Sequence, residues 1–76
     1  MLRREDPIPQ LKRDAATVLA EQLTGWNAHD VAGYIGTDAP RILEIRRGKL
    51  DRFSLETLIR YLTRLGCRVE LRITKR

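Results

Sequence analysis

AHDVAGYIGTDAPRILEIRRGK, residues 28–49, is the stretch whose reading decides the fold. Val31, Ala32 and Ile35 fall at i, i+1 and i+4, which places them on one apolar face of a short helix. Gly36 interrupts that pattern, at a point where the chain must turn through a positive φ that glycine adopts at little cost. Ile42 and Ile45 restart it at i, i+3. Asp38 or Ala39 opens this second helix, and Pro40 sits in its first turn, where a missing N–H costs nothing. Gly48 is placed to stop it. Ala32 is small where the two helices must approach. The pattern is that of two short helices joined by a tight turn, a helix-turn-helix.

Outward from that core, the preceding residues predict a longer helix from Pro9 or Gln10 to Leu23. Leu11, Ala15, Val18, Leu19 and Leu23 share its apolar face, and Thr24-Gly25 ends it. Trp26 then precedes Asn27, a good N-cap, and a Trp26–Val31 staple would put the indole in the core. His29 has no second His or Cys at ligand spacing and reads as a surface residue. Residues 1–8 read as a flexible arm, kept from helix by Pro7 and Pro9. Its Arg3 and Arg4 are placed either to touch DNA or simply to fray.

On the other side, Ser54 caps a fourth helix that runs to Leu65, with Phe53 stapled onto Leu58 and Gly66 closing it. Leu55, Leu58, Ile59, Leu62 and Leu65 form its apolar face, and Tyr61 and Tyr34 read as packing residues with wet hydroxyls. In the tail, Cys67, Val69, Leu71 and Ile73 alternate with Arg68, Glu70, Arg72 and Thr74, the period of a strand. No second strand is legible to pair with it. A lone strand leaves its backbone groups unpartnered, so the expectation is a homodimer with antiparallel tails across a twofold axis. Cys67 reads as an apolar filler, or as a thiol open to oxidation if it lies near that axis. The expected architecture is mainly α: an arm (1–8), a four-helix domain (9–66) and a dimerisation strand (67–76).

Composition narrows the function. With 76 residues and a net charge of +5, the chain is a single small basic domain suited to a polyanion. No apolar run approaches the roughly 20 residues of a spanning helix, and the first ten residues lack a signal-peptide core. One cysteine fits a reducing cytoplasm. One histidine, one cysteine and scattered carboxylates supply no metal set, no nucleophile–base pair and no phosphate-cradling loop, so neither catalysis nor a cofactor is expected.

The stretch resembles the DNA-binding core of the phage-repressor and xenobiotic-response-element (XRE) regulators. Its continuation is similar to one branch, the short single-domain antitoxins of the HigA kind. That branch has P-R-V-S-x-L-x-R-G-K where this chain has PRILEIRRGK (40–49). It has F-S-L-x-x-L-x-x-x-L-x-x-L-G-x-x-V where this chain has FSLETLIRYLTRLGCRV (53–69). The resemblance spans roughly Leu11 to Leu71. It implies a repressor of double-stranded operator DNA that also binds a RelE-like or HigB-like ribonuclease toxin. The chain departs from the branch at Ala28 (usually Gln), at Asp38-Ala39 (usually Ser-Gln) and at Leu43 (often Ser).

In such a regulator the second helix of the motif enters the major groove. With Ile42 and Ile45 inward, Ala39, Pro40, Arg41, Leu43 and Glu44 become the base-contact candidates. Arg41 suits guanine O6 and N7, Glu44 a cytosine amine and Leu43 a thymine methyl. The bland alternative is an Arg41–Glu44 ion pair on a solvated face. Asn27, Arg46, Arg47, Lys49 and Arg52 are the phosphate candidates. Residues 41–52 hold five positive and two negative side chains, +3 of the whole +5, where counterion release would favour DNA. The rival reading is a protein-interaction module on this scaffold, working through the tail or the fourth helix.

Overall fold

The computed structural model describes residues 6–75. Four α-helices follow in order: α1 (Ile8–Gln22), α2 (Ala28–Ile35), α3 (Ala39–Arg46) and α4 (Leu55–Arg64). Helix α1 packs on α3 and α4, and α2 packs on α3 and α4. Leu19, Leu23, Val31, Ile35, Ile42 and Leu58 are fully buried at the meeting point, with Ile45 and Phe53 beside them. This aliphatic centre is what a chain of this size can build without metal or disulfide.

The helix starts follow from the capping chemistry. Asn27 accepts from the His29 N–H at 2.8 Å, Asp38 from Arg41 at 2.9 Å and Ser54 from Thr57 at 3.1 Å, each satisfying an orphan donor of the first turn. Helix α1 begins differently, and earlier than its prolines suggest. Pro7 is its N-cap residue, Pro9 lies in the first turn, and Asp6 Oδ1 accepts from the Ile8 N–H at 3.0 Å. The prolines start the helix because no donor is required of them there. Asp6 and Pro7 therefore belong to the helix entry, while Arg3 and Arg4 lie outside the described residues.

Three expectations are corrected by the packing. On α1 the inward face is Ala16, Leu19 and Leu23, with Ala15 half-buried. Leu11 and Val18 stay 37% and 43% exposed, beside a groove between α1 and α4. Trp26 is not core: it is 44% exposed and lies on Tyr34 of α2, ring centroids 5.9 Å apart. Its backbone carbonyl is held by Arg46, which fixes the turn with the indole outside a core already filled by aliphatics. Tyr61 is buried, and the hydroxyl expected to face water has a protein partner instead, donating to Thr37 Oγ1 at 3.0 Å.

The strand expected over Cys67–Ile73 does not form within the single chain. Among the described residues there is no strand, and the last main-chain hydrogen bond is that of Cys67 N–H to Leu62 O at 3.0 Å. Cys67 packs against the core, but exposure rises from 42% at Val69 to 78% at Leu71 and 83% at Ile73. A sheet ladder needs a second edge, and no other segment among the described residues provides one.

Candidate nucleic-acid interface

The geometry of the surface is set by how α3 is held. Its inward residues Ala39, Ile42 and Ile45 are 9%, 0% and 2% exposed, so the opposite face must meet solvent. The N-terminal end is capped by Asp38. The C-terminal end closes in a Schellman turn, with Lys49 N–H on Glu44 O at 2.9 Å and Gly48 N–H on Ile45 O at 3.1 Å. Gly48 takes φ 75°, the left-handed value this turn requires. The turn carries Arg47 and Lys49 out of the helix end as exposed cations.

The turn before α3 is braced from behind. Gly36 ends α2 at φ 78°, and Thr37 N–H reaches back to Ala32 O at 2.8 Å. Arg64 of α4 donates to Ile35 O at 2.5 Å, and Tyr61 holds Thr37. Two side chains of α4 thus fix the angle at which α3 is presented.

The expected site residues separate on this surface. Pro40, Arg41 and Leu43 are exposed, Glu44 is half-buried, and Leu43 offers a 40% exposed apolar side chain. Ala39, expected on the outer face, is only 9% exposed. Arg41 does not pair with Glu44. Its Nε stands 3.8 Å from Asp38 Oδ2, and its guanidinium carbon lies 5.9 Å from the Phe53 ring centroid. Asp38, Pro40, Arg41, Glu44, Arg52 and Phe53 line one cleft of about 280 Å³. This brings two cations and two carboxylates together on the α3 side.

Among the phosphate candidates, Arg47, Lys49 and Arg52 are exposed, and none of the three appears in an ion pair of the described residues. Asn27 is exposed, with its side-chain oxygen committed to the α2 cap and no hydrogen bond from its amide nitrogen among the described residues. Arg46 differs from its neighbour. Its Nη2 donates to Leu23 O at 3.0 Å and to Trp26 O at 2.8 Å, tying α3 to the end of α1. Adjacent arginines thus carry different tasks. No local sequence signal marks Arg46, because its acceptors lie 23 and 20 residues away.

No group of His, Cys, Asp or Glu among the described residues is arranged to hold a metal ion. No helix among them is long and apolar enough to cross a membrane.

A capped short helix, a glycine turn and a second capped helix with an exposed outer face define a helix-turn-helix domain. A family model described as a helix-turn-helix domain matches residues 10–74, and the chain belongs to that family. The fold is similar to a solved structure provisionally assigned to the XRE family of transcriptional regulators. The TM-score is 0.82 at 28% sequence identity, covering 90% of this chain and 79% of that one. Comparison with curated proteins gives no match.

Proposed function

We propose that this protein is a sequence-specific DNA-binding transcriptional repressor acting in the cytoplasm as a homodimer. The observation that carries the reading is α3 itself. Ile42 and Ile45 lock it against the core, leaving Pro40, Arg41, Leu43 and Glu44 on the outer face and Arg47, Lys49 and Arg52 around its C-terminal end. In the major groove the first set reads base edges, and the second neutralises phosphates and fixes register. A twofold pair of such helices fits palindromic half-sites one helical turn apart, roughly 34 Å. Similarity to a structure assigned as a transcriptional regulator supports the regulatory role.

The resemblance of residues 40–49 and 53–69 to the HigA-like antitoxins supports a narrower reading. The protein then also binds a RelE-like or HigB-like ribonuclease toxin and represses the operon encoding both.

The test is fluorescence anisotropy on the upstream promoter fragment and on a scrambled duplex, over a salt series, for the wild type and for Arg47→Ala/Lys49→Ala. The expected result is a preference of about a thousandfold for the promoter, lost in the double variant. Equal, steeply salt-sensitive binding to both duplexes would overturn operator recognition and leave the protein-interaction module. For the narrower reading, the neighbouring genes are searched for a RelE-like or HigB-like ribonuclease, and the protein is mixed with any that is found. Inhibition supports an antitoxin, and undiminished RNA cleavage rules it out.

A further inference from the structure

The tail and the α1–α4 groove form one unpartnered surface. Of the large apolar side chains left exposed, Leu11 and Val18 of α1 line one groove with Val69 and Leu71 of the tail, and Ile73 lies further along the tail. Leu11, Val18, Ile59, Leu62, Val69 and Leu71 all border the same cavity of about 340 Å³. From residue 68 to 75 no main-chain group makes a hydrogen bond within the described chain. Alternating side chains, idle backbone groups and an adjoining apolar groove describe one half of a strand pair.

We propose that a second copy of this chain supplies the other half, with the two tails antiparallel and Leu71 on the twofold axis. The inference rests on the dimer read above and adds its register and its contact surface. An isologous pair about a twofold places residue i opposite residue j and j opposite i. Registers that set odd-numbered residues against even ones would put Val69, Leu71 and Ile73 on the side of Arg68, Glu70 and Arg72, mixing apolar and charged faces. Charge then decides among the remaining registers.

Centring on Glu70 sets Glu70 against itself and Arg68 against Arg72, all like charges directly opposite. Centring on Arg72 sets Arg72 against itself. Centring on Val69 makes the opposite-charge pair Arg68–Glu70, but limits pairing to residues 67–71 before the strand meets the closing turn of α4. Centring on Ile73 sets Leu71 against Lys75 and Arg72 against Thr74, an apolar side chain against a cation and no opposite-charge pair beside the centre. Centring on Leu71 pairs residues 67–75, with apolar residues opposite one another at its centre and an opposite-charge pair beside them. It sets Leu71 on Leu71, Val69 on Ile73 and Glu70 on Arg72 of the second copy. Within the chain, Arg68 Nε already meets Glu70 Oε1 at 2.8 Å. Glu70 then lies between two guanidiniums, one from each copy. The odd-numbered face, which begins with the core-packed Cys67 and continues along the groove at Val69, brings the partner's Ile73 toward Leu11 and Val18.

The experiment is a cysteine scan in a Cys67→Ala background, read by oxidative cross-linking on non-reducing gels. Sedimentation equilibrium of the wild type and circular dichroism of each variant accompany it. Leu71→Cys is expected to cross-link to itself. Val69→Cys and Ile73→Cys each fail alone, being separated from their own copies by about 13 Å, far beyond disulfide reach. Mixed together they cross-link to each other. As a check that leaves the apolar face untouched, Glu70→Arg raises the dimer dissociation constant about tenfold, and Glu70→Arg/Arg72→Glu restores it.

Self-linking of Val69→Cys would overturn the register and keep the dimer. A wild-type dimer with no cross-link at any of the three positions would overturn the tail surface altogether. A wild-type monomer would overturn both the inference and the dimer in the functional reading. DNA recognition is decided separately, by the anisotropy titration.

Discussion

Arg64 Nη1 donates to the carbonyl oxygen of Ile35 at 2.5 Å, and a Cβ built on the next residue, Gly36, would fall on that same nitrogen. One guanidinium thus occupies the space that the absence of a side chain leaves open, and ties the end of α4 to the turn that aims α3. Gly36→Ala must strain a φ of 78° and push Arg64 off Ile35. The expected cost is about 1–2 kcal/mol from the left-handed backbone alone, a loss of roughly 4–16 °C in Tm for a domain of this size. Thermal unfolding followed by far-ultraviolet circular dichroism measures it. In an Arg64→Met background the alanine penalty is expected to shrink to its backbone part. Equal penalties in both backgrounds would show that the guanidinium does not brace the turn.

Arg46 and Arg47 are expected to separate stability from binding. Arg46→Ala removes donors from the carbonyls of Leu23 and Trp26 and is expected to cost about 1–2 kcal/mol, because charge-assisted bonds to a chain turn are being lost at a partly exposed site. Lysine at that position keeps the charge but lacks the guanidinium fork that spans both oxygens. Arg47→Ala leaves the midpoint of urea unfolding within about 0.5 kcal/mol of wild type, as for a surface change away from any contact. Its effect is on DNA: removing one phosphate contact lowers the slope of log K against log salt by about 0.9. If Arg46→Ala leaves stability unchanged, its bonds to α1 are decorative.

The motif at residues 28–49 was legible because its signals are local. Val31, Ala32 and Ile35, then Ile42 and Ile45, fall on helical spacing around one glycine, and each is buried. Asn27, Asp38 and Ser54 are caps whose chemistry acts within three residues. The low exposure of Ala39 leaves no mark in the sequence, because alanine is equally at home on either face, and only the packing of α3 against its neighbours turns it inward. Leu11 and Val18 sit on the same periodic stripe as Leu19, but that stripe is wider than the surface α3 and α4 cover, so its edge remains exposed. Arg46, Arg64 and the Tyr61–Thr37 bond act across 20 to 29 residues and leave no trace in spacing. The tail's alternation is plain, yet a strand is a property of a pair, and the described residues hold no second segment to pair with it.

Trp26, the only tryptophan, is expected to report its exposed position directly. Its emission lies toward the solvent-exposed end of the range, and added iodide or acrylamide quenches it in the folded state. Trp26→Ala costs on the order of 1 kcal/mol, the worth of an aromatic pair such as the one with Tyr34, and not the 3–5 kcal/mol typical of a buried aromatic. A blue-shifted, quencher-resistant emission would return the indole to the core.

Asp38 combines two effects that a pair of substitutions can separate. Its carboxylate caps α3 by accepting from Arg41 N–H at 2.9 Å, and it holds the Arg41 side chain at 3.8 Å on the face proposed to meet DNA. Asp38→Ser retains a capping oxygen, removes one negative charge from that face and releases Arg41. Stability is expected to change by no more than about 0.5 kcal/mol, since serine and aspartate cap comparably. DNA affinity is expected to rise several-fold at low salt, with the gain shrinking as salt increases, because exposed charges are screened beyond a Debye length of about 10 Å at 0.1 M. Asp38→Ala removes the same charge but also the cap, at a cost of about 0.5–2 kcal/mol. Anisotropy and urea unfolding on the same two variants decide the matter. Tighter binding by the serine variant identifies Asp38 as a brake on binding at the N-terminal end of α3. Weaker binding by both, with stability intact in serine, would mean that the carboxylate positions Arg41 for its contact and that the pair works as a unit.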